Sequence, residues 1–294
     1  MDILTPQVLD IALTYFEGLD CPRSLTTAVM LRYGEWVQLL QLKCDQKHYN
    51  EPLEYYQSVC ATDFLRKLDV QIDGIDPDEA ASQTWEESER ECFRTNRRLN
   101  EIFDFGTLNG NPVDDAILEF FERMRQNLVK LIGYGPSESQ DDDGKFGPGA
   151  TVSDNSRRTT VLDKMSSCPT LTSSALGYLF PWIGTKWGAA SAARGDAIDF
   201  CRGNHYFTVN KTALTRRSCG KECSINVYFQ LGLGRKLKRR LKMAGLDLIN
   251  GQHIHGQVAR AASISGERCT VDLTSASDTV CTSLVRNVTP HKWL

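Results

Sequence analysis

Apolar residues recur at helical spacing through the first third of the chain. Leu25, Val29, Tyr33, Trp36, Val37 and Leu40 fall at helical intervals, with Ser24 placed to cap. Asn50-Glu51-Pro52 reads as a cap followed by proline in a first turn, after which Leu53, Tyr56, Cys60 and Phe64 share a face. Turn residues from Ile72 to Asp78 interrupt the pattern. Thr84 and Glu87 have the spacing of a capping box, which predicts a charged helix from there to about Phe103, braced by Glu86 with Arg90 and Glu91 with Arg94. Asn111-Pro112 opens a further helix with Val113, Ile117, Phe120, Phe121, Met124, Leu128 and Ile132 turned inward. Such aromatic stripes are core rather than a binding box.

The pattern changes after residue 132. Gly133 to Gly149 carries Gly, Pro, Ser and the run Asp141-Asp142-Asp143, and predicts a long solvated loop ending in a tight turn at Phe146-Gly147-Pro148-Gly149. Residues 150–201 are mixed, and the apolar segment Leu176 to Trp187 is too short to span a membrane. His205 to Asn210 alternates as a strand, and Lys211 to Glu222 reads as a basic loop. Ser224 is placed to cap a helix in which Ile225, Phe229, Leu233, Leu237 and Leu241 recur every four residues. Arg235, Lys236, Lys238, Arg239, Arg240 and Lys242 occupy its other faces, and Gly245 supplies the stop. His253 and His255 are expected in an exposed loop. Cys269 to Leu273 predicts a short buried strand that delivers Asp272, with hydroxyls from Thr274 to Ser277 to cap a helix running from Asp278 to Val285.

Composition narrows the classes. The 294 residues, 41% of them hydrophobic and 24% charged, suffice for one large or two ordinary domains. Met1-Asp2-Ile3 lacks the basic start of a secretory signal. Ten scattered cysteines, with Cys219 and Cys223 lacking a second pair, argue against zinc and for reduced thiols. The net charge of −3 hides an asymmetry: Arg202 to Lys242 holds eleven Lys or Arg against one acid, Glu222. That block fits either a polyanion partner or a solvated helix face. Asp272 and Asp278 are the candidate chemistry. A carboxylate ending a strand and another opening a helix suit one shared ligand, such as Mg²⁺ with a nucleotide's phosphates, or else serve as ordinary turn and cap residues.

Several stretches together resemble one family. Phe146-Gly147-Pro148-Gly149-Ala150-Thr151 looks like its characteristic turn, and Phe207-Thr208-Val209-Asn210-Lys211-Thr212-Ala213 through Arg217 to Glu222 like its basic fingers motif. Arg239-Arg240-Leu241-Lys242 with Gly245-Leu246-Asp247-Leu248 is similar to the helix and turn that follow. Val271-Asp272-Leu273-Thr274-Ser275-Ala276-Ser277-Asp278 looks like its first palm motif, motif A. Tyr33-Gly34-Glu35-Trp36 and Thr95-Asn96-Arg97-Arg98 fit as well, in a consistent order over nearly the whole chain. The family is the RNA-directed RNA polymerase, the replicase catalytic (β) subunit, of single-stranded RNA bacteriophages, the leviviruses. Its pattern has Pro where Asn210 and Cys223 stand, a second Lys where Leu214 stands and Asp where Arg216 stands. Arg216 is thus a candidate to offset the charge lost at Leu214.

The resemblance implies an α+β right-hand polymerase of palm, fingers and thumb. Residues 1–132 would be a helical N-terminal region, 133–265 fingers, and 266–294 the start of a palm cut after motif A, since no Gly-Asp-Asp occurs. It implies nucleotide addition on an RNA template by two-metal phosphoryl transfer, with two Mg²⁺ ions in the complete enzyme. Asp272 would be the catalytic metal ligand, joined by the Leu273 carbonyl. Asp278 would sense the ribose 2′-hydroxyl, and Lys211 and Arg217 would hold the triphosphate. The cations from Arg235 to Lys242 would face RNA. Implied partners are RNA template and product, ribonucleoside triphosphates and host translation factors, in the bacterial host cytoplasm and without a membrane. The competing expectation is a non-catalytic RNA-binding protein built on 202–242.

Overall fold

The computed structural model describes residues 4–136, 144–154, 157, 159–269, 271, 273 and 275–294, the side chains of 106–109 excepted. The chain runs through α1 (Pro6–Leu19), α2 (Pro22–Arg32), α3 (Trp36–Gln41), α4 (Pro52–Asp63), α5 (Pro77–Asn109) and α6 (Pro112–Ile132). It continues with α7 (Val161–Ser166), β1 (Thr170–Thr172), α8 (Leu179–Ile183), α9 (Lys186–Arg194), β2 (Asp199–Cys201), β3 (His205–Asn210) and β4 (Arg216–Lys221). Helices α10 (Ser224–Met243), α11 (Gly251–Ser265) and α12 (Thr282–Val288) complete it. The fold is mostly helical, with β1 paired to β2 and β3 paired to β4. Two compact units result: Met1–Glu86 with Phe207–Cys219, and Glu87–Tyr206 with Gly220–Leu294.

In the first unit, α1, α2, α4 and α5 each begin on proline, whose missing N–H falls where a helix leaves that donor unused. α5 starts at Pro77 rather than near Thr84, because Asp76 Oδ1 accepts from the N–H groups of Asp78 and Glu79 at 2.9 and 3.1 Å. Thr84 instead lies inside the helix and donates to the Ala80 carbonyl at 2.9 Å. On α2 the expected cap is also displaced. Cys21 is the N-cap, and Ser24 closes a reciprocal box by accepting from Cys21 N at 3.1 Å.

The core of this unit is Ala12, Phe16, Ala28, Leu31, Leu39, Ala61 and Leu65. The stripe predicted to face inward on α2 faces out: Leu25 is 67% exposed and Tyr33 79%, whereas Ser24, Thr27, Ala28 and Leu31 are buried. α4 repeats this, burying Ser58 and Ala61 and exposing Leu53 and Tyr56. Small side chains let neighbouring helix axes approach closely, and the buried Thr27 hydroxyl is satisfied by the Ser24 carbonyl at 2.8 Å.

The second unit is centred on Leu171, Trp182, Trp187, Ile225 and Tyr228. Phe146 stands with its ring centroid 5.1 Å from both Trp187 and Tyr228, so the Phe146-Gly147-Pro148-Gly149 segment is anchored by its aromatic residue. Lys164 of α7 is 2% exposed, and its Nζ donates to the Gly147 carbonyl and to that of Gly149 at 2.7 Å. β1 and β2 are parallel, with Leu171 opposite Phe200.

Two helices here are capped from a distance. Ser224 is the first residue of α10, not its cap: its N–H donates to Thr170 Oγ1 at 2.8 Å, and Thr170 N–H returns a bond to Ser224 Oγ at 2.9 Å. α12 begins at Thr282 rather than Asp278, and Ser283 N–H donates to Asn96 Oδ1 of α5 at 2.8 Å. Leu99, Phe121 and Cys281 pack beneath this junction. Asn96→Ala should cost about 1 kcal/mol, the usual worth of a cap. Amide exchange at Ser283 should then speed up by roughly fivefold; an unchanged rate at that amide would deny Asn96 the capping role.

Candidate functional site

The cationic positions fall on two supports. In the first unit, the β3–β4 connection turns through Thr212 to Thr215. Thr212 N–H donates to the Thr215 carbonyl at 3.0 Å, and Thr215 N–H to Thr212 Oγ1 at 3.2 Å. Arg216 to Lys221 is therefore a strand, not the remainder of a basic loop, because the chain pairs back on β3. Lys211 lies exposed just before this turn and Arg217 exposed just after it. Arg216 points to the other side of the strand, as alternation requires, and its Nε lies 3.4 Å from Asp78 Oδ2. Thr208 also donates to Asp78. The Arg216 charge is thus met by an acid on this face of the strand.

In the second unit, α10 buries Ile225, Tyr228 and Gly232 in its first half. Its second half carries the cations: Arg235, Lys238, Arg239 and Lys242 are exposed, while Lys236 and Arg240 are half-buried. The helix ends as predicted, with Gly245 at φ 88° and Leu246 N–H returning to the Leu241 carbonyl at 2.8 Å. Lys242 Nζ lies 3.3 Å from Asp247. Hydrogen bonds from the Asn250 side chain first, then from Ile249 N–H, hold the Asp247 carboxyl down at about 2. At the other end of α10, burial and then the neighbouring Cys201 push the Cys223 thiol up to about 12. All ten cysteines are free thiols. His253 and His255 lie within α11 rather than in a loop, and two helical positions apart they face different directions.

The carboxylate segment departs from expectation. Asp272 lies outside the described residues, as do Thr270 and Thr274. Val271 and Leu273 carry no strand and are 77% and 68% exposed. A strand buries its apolar face only with neighbours, and none of the described strands pairs with them. Ser275 to Thr279 forms turns instead. Ser275 adopts φ 53°, and its carbonyl accepts from the N–H groups of Asp278 and Thr279 at 3.1 Å each. Cys92 Sγ donates to the Asp278 carbonyl at 3.2 Å, fixing the turn to α5. The Asp278 carboxylate is exposed and accepts from Ser277 Oγ at 3.1 Å.

A two-cation site needs several fixed oxygen ligands. Among the described residues no cluster of three or more His, Cys, Asp or Glu is placed to hold a metal. The Leu273 carbonyl and Asp278 do not supply such a set by themselves. Among the described residues, no helix is long and apolar enough to cross a membrane. The pairing roles of Asp78, Asn96 and Lys164 are not legible in the sequence, because each partner lies far along the chain.

The family described as RNA replicase, beta-chain, matches residues 33–294. The chain is 31% identical over 241 residues to the RNA-directed RNA polymerase subunit beta of Enterobacteria phage SP, covering 79% of this chain and 39% of that one. It is 28% identical over 279 residues to the subunit of the same name from Escherichia virus Qbeta, covering 92% and 45%. An 88-residue stretch reaches 42% identity with the RNA-directed RNA polymerase beta chain of Escherichia phage MS2, covering 30% and 16%. The chain therefore spans less than half the length of these relatives.

Proposed function

Because the chain belongs to the RNA replicase beta-chain family, we propose that it forms part of a phage RNA-directed RNA polymerase that extends RNA on an RNA template inside the infected host. The observation that carries this reading is the match along residues 33–294, supported by named polymerase subunits that align with most of the chain. In this reading residues 1–132 are a helical N-terminal region, 133–265 belong to fingers and 266–294 begin a palm, within a hand-shaped enzyme. Lys211 and Arg217 offset the charge of a ribonucleoside triphosphate, the guanidinium through a two-pronged contact. Asp278, exposed on its turn, accepts a hydrogen bond from the ribose 2′-hydroxyl. The cations Arg235 to Lys242 track RNA phosphates. Asp272 carries the carboxylate for a divalent cation, which when bound neutralises charge on the reacting phosphates. Host translation factors enter by resemblance alone.

The test separates the two basic supports. The chain is joined in frame to the remaining part of the phage SP subunit and assayed for template-directed incorporation. Lys211→Ala or Arg217→Ala should raise the KM for nucleotides and leave RNA affinity alone. Arg239→Ala with Arg240→Ala should weaken RNA binding and flatten its salt dependence by a log-log slope of roughly 0.7 per lost phosphate contact. Equal effects of both pairs on nucleotide KM, with an unchanged salt slope, would refute the assignment.

A further inference from the structure

Within the second unit, a groove of about 790 Å³ runs over the end of α6 and the segment after α12. Arg125, Lys130, Tyr134, His291 and Lys292 line it. Trp293 is buried, and its Nε1–H donates to the Gly133 carbonyl at 3.0 Å, which ties residues 133–135 to the last residues of the chain. Gly135 makes that approach possible. A Cβ on Gly135 would stand 2.6 Å from Lys292 Cβ, and one on Gly133, where φ is 79°, would stand 3.9 Å from the Arg240 guanidinium carbon. The residues on either side of Tyr134 thus lie against the aliphatic stem of Lys292 and beside the Arg240 guanidinium. Tyr134 is 76% exposed. The carboxylate of the groove, Glu122, is already occupied by Arg125 and Gln126, which hold it below its usual range. Lys130 and Lys292 form no ion pair with another described residue.

An open aromatic face flanked by cations suits a flexible polyanion that bears flat rings. A duplex keeps its base faces stacked inside, so it cannot use the ring. The geometry points to a subsite for unpaired RNA, with one base stacked on Tyr134 and the adjoining phosphates on Lys292 and Arg240. This rests on the reading of the chain as part of an RNA polymerase, and extends its RNA-facing surface from α10 to the end of α6. Nothing in the hydropathy pattern separates Tyr134 from other loop aromatics. The Gly135 approach, the positive φ of Gly133 and the Trp293 tie set it apart.

The 294-residue chain is titrated into a labelled single-stranded oligouridine, by fluorescence anisotropy over a range of KCl concentrations. Tyr134→Ala should weaken binding by roughly 5- to 150-fold, the worth of one stacked base, without changing the salt slope. Tyr134→Leu, which keeps apolar bulk but lacks the ring face, should behave like the alanine variant, and Tyr134→Phe like the parent. Lys292→Gln should lower the slope by about 0.7. An RNA duplex of equal length should be indifferent to Tyr134. If Tyr134→Ala and Tyr134→Leu bind oligouridine like the parent while the Arg239 and Arg240 double variant loses affinity, the subsite falls and the RNA reading stands. If the parent chain itself binds no RNA, both fall.

Discussion

Asp272→Asn should reduce nucleotide addition by roughly 10²- to 10³-fold in the chain joined to the rest of the phage SP subunit. The substitution keeps size and most hydrogen-bonding capacity but removes one negative charge from a site proposed to hold a divalent cation. Several kcal/mol of charge stabilisation at the reacting phosphates correspond to a loss of that order. Oligouridine affinity should be unchanged, because the cations proposed to bind RNA lie on other segments. The comparison is made at saturating Mg²⁺, so that weakened occupancy alone cannot account for the loss. Near-parental extension under those conditions would take Asp272 out of the reaction. Equal losses of RNA binding and extension would mean that the residue supports the fold instead.

Lys164→Met should destabilise the second unit by about 2–5 kcal/mol, two buried hydrogen bonds being worth roughly that together. The side chain is 2% exposed, and its amine donates to the carbonyls of Gly147 and Gly149. Methionine fills much the same volume but leaves both acceptors without this donor. The loss is local in origin. It frees the segment that seats Phe146 against Trp187 and Tyr228, and next to it Thr151 N–H and Oγ1–H both donate to Asp154 Oδ2, at 3.1 and 2.6 Å. Hydrogen exchange read at residues 146–151, beside a urea titration, locates the effect. Parental protection there together with a parental midpoint would show that the two carbonyls find other donors at no cost.

Periodicity was enough to find the helices with a regular apolar stripe, such as α2, α4, α6 and α10, because a helix repeats every 3.6 residues whatever it packs against, and it left α7, α8, α9 and α11 unread. It placed α6 at Asn111-Pro112, β3 at His205 to Asn210 and the stop of α10 at Gly245. The ordered run of motifs from Tyr33 to Asp278 was enough to reach the family, since co-linear matches over that distance do not depend on any one contact. The cationic half of α10 was also legible, being a matter of residue type alone. Tertiary structure decided the rest. Leu25 is as apolar in sequence as Leu31, and only the close approach of neighbouring helices selects the small face of α2 for burial. The starts of α10 and α12 depend on Thr170 and Asn96, the latter 187 residues from the amide it caps. Arg216 meets Asp78, and Lys164 meets two carbonyls, through the same kind of long-range pairing. Propensity and capping rules act within about four residues of chain, so they read local hydrogen bonds and spacing. They carry no information on which distant donor or acceptor the fold brings into reach.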